Sequence, residues 1–99
     1  MLYCILGRDA PDSLQRRQRV RSEHLARVQA LCDQGLLLTA GPFAAIDSPD
    51  PGPAGFVGSL IVAEFDSLLA ARQWAESDPY LESGAWQGVE VHPYRQVLP

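Results

Sequence analysis

The 99-residue chain reads as one α+β domain with the element order βαββαβ, the ferredoxin-like arrangement. Three observations predict it. Four short apolar stretches stand where strands would be. Two longer stretches with helical apolar spacing separate the first strand from the second and the third from the fourth. Gly, Pro, Asp and Ser mark the boundaries between them. Right-handed crossovers then give an antiparallel sheet of spatial order 4-1-3-2 with both helices on one face. The length leaves little room for a second unit, so residues 1–99 are read as a single domain.

Leu2 to Leu6 forms the first strand, ended by Gly7. Asp9 to Ser13 is turn chemistry, and either Asp12 or Ser13 caps the helix that follows. That helix continues to Gln34, with Gly35 as a left-handed C-cap. Val20, Val28, Leu31 and Cys32 form its apolar arc, and His24 falls inside the arc. Upstream of Val20 the pattern is almost wholly polar, which predicts a separate, exposed first turn.

Leu36 to Ala40 is the second strand, closed by Gly41-Pro42. Ile46 to Gly55 holds three of the eight prolines and is a long loop, expected to form a rim or lid over a cleft. Phe56 to Phe65 is the third strand. Ser67 caps the second helix, which should stop at Asp78 because Pro79 disfavours helical geometry there. Val89 to Val97 alternates as the fourth strand, and Pro93 places it at a sheet edge.

Strands one and three are apolar on both faces: Leu2, Cys4 and Leu6 oppose Tyr3 and Ile5, and Leu60 and Val62 oppose Ile61, Ala63 and Phe65. Helices exist for one face only, so the expected remedy is a homodimer with two sheets packed face to face. The net charge of −4 argues against nucleic acid or an anionic membrane as partner. No run approaches the roughly 20 apolar residues of a membrane helix, and the first residues make no signal peptide. Two cysteines without metal-binding spacing, Cys4 and Cys32, fit reduced thiols in a cytoplasmic protein. All eight basic residues are arginine, and five fall between Arg16 and Arg27. Such a run reads first as a solvated helix face, and second as an attractor for a carboxylate or phenolate ligand. There is no phosphate loop, GxSxG, HExxH or EF-hand spacing, so neither cofactor nor metal is expected.

Connectivity places three features at one end of the sheet: His24 with the start of its helix, Gly41-Pro42-Phe43, and Asp78-Pro79-Tyr80. Each has a plain structural reading. His24 fits a core histidine bonded to backbone, Asp78 a helix stop, Gly41-Pro42 a strand terminator, and Tyr80 and Trp86 core aromatics. Together they also fit a cleft with an acid/base histidine oriented by a carboxylate.

The pieces Arg21-Ser-Glu-His24-Leu, Gly35-Leu-Leu-Leu-Thr-Ala-Gly41-Pro42, Gly55-Phe-Val-Gly58-Ser59, Asp78-Pro79-Tyr80 and Gly84 resemble the YciI-like (YCII-related) family across almost the whole chain. The resemblance implies a dimeric α/β barrel, related to muconolactone isomerase, and a His-Asp active-site pair falling on His24 and Asp78. Arg21, Gly41, Pro42, Phe43, Ser59 and Tyr80 are the expected substrate-binding residues. One relative of this family removes chloride from a chlorinated hydroxyquinol with such a dyad. The expected function is therefore a cofactor-free lyase or isomerase acting on a small aromatic or lactone-like molecule. The rivals are a ligand-binding or sensing dimer and a structural dimer with no ligand.

Overall fold

The computed structural model describes residues 1–99. It contains β1 (Leu2–Asp9), α1 (Leu14–Asp33), β2 (Leu37–Ala44), β3 (Phe56–Glu64), α2 (Leu68–Glu76), α3 (Pro79–Glu82) and β4 (Trp86–Tyr94). A short 3-10 turn, Gly52–Ala54, lies between β2 and β3. The four strands form one antiparallel sheet of order β2-β3-β1-β4, which is the predicted 4-1-3-2 read from the other edge.

Three boundaries moved, each for a local reason. β1 runs through Gly7 to Asp9. Gly7 is not a terminator: it is the point where the Trp86 indole lies on the strand, and a Cβ there would fall inside the indole's van der Waals radius. β2 runs through Gly41-Pro42 to Ala44, with Pro42 opposite Ser59. An edge strand tolerates the missing N–H of proline. β4 begins at Trp86, and its Pro93 sits at the other edge, opposite Tyr3.

α1 is one continuous helix, contrary to the expected separate and exposed first turn; Arg17 within that turn is only 5% exposed. Ser13 holds the N-cap position but does not cap: its hydroxyl donates to Asp9 Oδ2 at 2.5 Å. The C-terminus closes as predicted, with Gly35 at φ 74°. Its N–H donates to Cys32 O while that of Leu36 donates to Leu31 O, the paired bonds of a Schellman turn. Ser67 caps α2 by accepting from the Ala70 N–H. Asp78 does more than stop α2. It caps α3, accepting from the Tyr80 N–H, with Pro79 at the first helical position.

The core lies between the sheet and the helices. Ile5, Ile61 and Ala63 from the strands meet Val28 and Leu31 of α1, Ala75 of α2, and Tyr80, Ala85 and Trp86. On the opposite face Leu2, Cys4, Leu6 and Leu60 are only half-buried, and Phe43 is exposed. No helix is long and apolar enough to cross a membrane.

Candidate active site

The site is assembled on one face of α1. Arg17, Arg21, His24 and Val28 recur at helical spacing, and all four line a cleft of about 320 Å³ between α1 and the sheet. Gly41, Pro42, Phe56, Ser59, Ile61 and Tyr80 line it from the other side.

His24 is buried, and its Nδ1 lies 2.9 Å from both oxygens of Asp78. Asp78 is fully buried behind it. Every other group on that carboxylate is a donor: the Tyr80 N–H to Oδ1 at 2.9 Å and Arg27 Nη1 to Oδ2 at 3.1 Å. An acceptor so surrounded requires Nδ1 to carry a proton, which leaves the lone pair of a neutral ring on Nε2. Nε2 has no protein partner and is on the cleft side of the ring. The ring is further fixed by Tyr80, stacked at 4.0 Å and 13°, and by the edge of Trp86 at 5.7 Å. Arg27 is itself held by Trp74, over whose ring it lies at 4.3 Å and to whose carbonyl Nη2 donates at 2.6 Å.

A second buried ion pair forms the cleft's other end. Arg17 donates Nε to Asp9 Oδ2 at 2.6 Å and Nη2 to Asp9 Oδ1 at 2.7 Å. Nη2 also donates to Gly58 O and to Ser59 Oγ, so the guanidinium ties β1, α1 and β3 together. Breaking a buried pair of this kind typically costs about 3–5 kcal/mol. The guanidinium also lies 4.9 Å from the Tyr80 ring centroid. Burial pushes the Tyr80 phenol's pKa above its usual 10.0, against the opposing charges of Arg17 and Arg21. Tyr80 is therefore protonated at neutral pH.

Most of the residues expected from sequence meet here: Arg21, His24, Gly41, Pro42, Ser59 and Tyr80 line the cleft, with Asp78 directly behind. Phe43 does not. Side chains alternate along a strand, and Phe43, opposite Gly58, points to the open face of the sheet while its neighbour Pro42 points to the cleft. Nor do residues 46–55 form the rim. None of them lines the cleft, and Pro53, Ala54 and Gly55 instead border a separate groove with Asp12 and Leu14 at the start of α1. Trp86 supports the dyad from the core rather than lining the cleft.

Sequence reasoning missed Asp9, Arg17 and Arg27. Arg17 left a signal. Continuing the helical phase of about 100° per residue upstream from Val20 puts Arg17 in the middle of the apolar arc. An arginine on the inward arc calls for a buried partner. Asp9 and Arg27 left none, because their roles depend on contacts across the fold.

A model of the YCII-related domain matches residues 1–95. The chain belongs to the YCII-related family. Protein YciI of Escherichia coli O6:H1 (strain CFT073) is 55% identical over 98 residues, covering 99% of this chain and 100% of that one. An uncharacterized protein of Haemophilus influenzae is 46% identical over the same length and coverage. Among solved structures, this YCII-related chain superposes with a TM-score of 0.83 and 25% identity on a Burkholderia phenoliruptrix AC1100 enzyme, covering 96% of this chain and 94% of that one. That enzyme is 5-chloro-2-hydroxyhydroquinone dehydrochlorinase (TftG), in complex with 2,5-dihydroxybenzoquinone. PA3566 of Pseudomonas aeruginosa, at 14% identity and TM-score 0.50, shares the fold alone.

Proposed function

We propose that this YCII-related protein is a small cofactor-free enzyme, a lyase or isomerase, that moves protons on a small ring-bearing molecule with His24 as base. The observation that carries the reading is the contact of His24 Nδ1 with both oxygens of Asp78, while Nε2 is left on the cleft. Such a pairing orients the ring and stabilises the imidazolium that forms when Nε2 takes a proton. Arg27 acts as a positioning residue through Asp78. The dehydrochlorinase activity of the structural neighbour supports the reaction class.

In an elimination, Nε2 removes a proton from a hydroxyl or carbon of the substrate. The electron pair left behind forms a new π bond, and the leaving group departs with its own bonding pair. The imidazolium then returns its proton to solvent. In an isomerisation it returns the proton to another atom of the substrate. Arg21, Gly41, Pro42, Ser59 and Tyr80 supply the walls. Two copies join through their open sheet faces, and the free Cys4 and Cys32 fit a cytoplasmic setting.

The test is chloride release from 5-chloro-2-hydroxyhydroquinone, run beside solvent-deuterium incorporation into a panel of small phenols and lactones. Turnover of any member should be lost in His24→Ala and fall about 10²–10⁴-fold in Asp78→Asn, the usual worth of a positioned base. Turnover unchanged in His24→Ala contradicts the reading. Saturable binding without turnover of any compound favours a ligand-sensing module.

A further inference from the structure

The charges around the cleft are one-sided. Two guanidinium groups, Arg17 and Arg21, line it, and no carboxylate does, although the chain as a whole carries −4. The two nearby acids stand behind the lining and are committed, Asp9 to Arg17 and Ser13, and Asp78 to His24, Arg27 and the Tyr80 N–H. Arg17 is neutralised by Asp9, and its Nη1 donates to none of the four acceptors that hold Nε and Nη2. Arg21, one helical turn on, has no ion pair or hydrogen bond within the protein, unlike Arg16, Arg17 and Arg27, and unlike the equally unpaired Arg19 it lines the cleft. Its charge nonetheless acts on the Tyr80 phenol inside the cleft. The rest of the wall combines neutral polar groups (Gln18, Ser59 and the Tyr80 ring with its phenol) with an apolar part (Leu25, Val28, Pro42, Phe56, Ile61) beside His24, and about 320 Å³ lies at the lower end of the roughly 300–1,000 Å³ of small-molecule pockets.

We infer that the cleft takes a single-ring organic anion, whose charged oxygen is held by Arg21 while the ring lies in the apolar slot beside His24. Arginine suits this because its planar fork gives a charged oxygen two parallel donors. An unpaired cation at the mouth also draws an anion into a protein that is otherwise repulsive to it. The inference rests on the proton-transfer reading for its choice of cleft, but binding is measured apart from turnover, so the two can fail separately.

Benzoate and benzamide are matched in shape and differ in charge. Calorimetric titration of the intact protein should show benzoate binding about tenfold or more tightly than benzamide, the effect of one charge-assisted contact. Arg21→Gln should remove that preference and leave benzamide unchanged, and Arg21→Lys should keep part of it. Raised salt should weaken benzoate alone. His24→Gln should still bind benzoate. Equal binding of the two probes, no measurable benzoate binding, a preference that survives Arg21→Gln, or its loss in His24→Gln each overturns the assignment. Turnover that is lost in His24→Ala would stand in any of those cases.

Discussion

His24 and Asp78 are neither a core histidine bonded to backbone nor a bare helix stop, because the Asp78 carboxylate meets three different donors at once. One of these comes from its own α3 cap, and two come from α1 across 51 and 54 residues of sequence. Tyr80 shows the same coupling of local and distant effects. Below pH 10.0 its phenol is neutral in the folded and unfolded chain alike, and its contribution to stability is present in full. Above that, the unfolded chain gives up the proton while the buried phenol keeps it. The unfolded state is then favoured, and stability falls as pH rises through the folded-state value. Ultraviolet titration should therefore show a late-titrating tyrosine that Tyr80→Phe removes. The variant should also lose less stability than wild type above pH 10.0. Parallel losses in both proteins would contradict this.

At the scale of elements, Gly7 is where β1 admits the indole of Trp86, and Trp86 in turn backs His24. Gly7→Ala forces either strand or indole to move, so we expect a loss of about 1–3 kcal/mol in urea unfolding, as for other overpacked cores. The indole fluorescence should change with it. An unchanged midpoint would mean that the indole has room to shift. The order and pairing of the elements were legible in the sequence, because apolar period, caps and Pro-Gly punctuation are local signals. The ends of β1 and β2 were not. Gly7 and Gly41-Pro42 look like breakers when read alone, and only the neighbouring strand and indole show them to be strand positions. The candidate pair and most of the cleft wall were legible through topology and family motifs. Phe43 was misplaced by a single residue of strand alternation. Arg17 and Arg27 were hidden among arginines that read as solvated.

Across the whole molecule, helices cover one face of the sheet only, and on the other face Val62 is buried but its apolar neighbours are not. Leu2, Cys4, Leu6 and Leu60 remain half-buried there, with Phe43 and Tyr94 exposed beside them. An apolar face of this kind in a chain of 10.8 kDa calls for a partner surface. We expect light scattering at micromolar concentration to give twice that mass. Leu6→Glu on the open face should return the monomer mass without disturbing the cleft, which lies on the far side of the sheet. A compact wild-type monomer would contradict the face-to-face arrangement.

We expect Asp78 to fix which nitrogen of His24 is the base. Nitrogen-15 NMR of the imidazole ring reads this directly, because protonated and lone-pair nitrogens have well-separated shifts. In the neutral ring of the wild-type protein, we expect the proton on Nδ1 and the lone pair on Nε2, with that preference lost in Asp78→Asn. A neutral His24 carrying its proton on Nε2, with Nδ1 as acceptor, would contradict it.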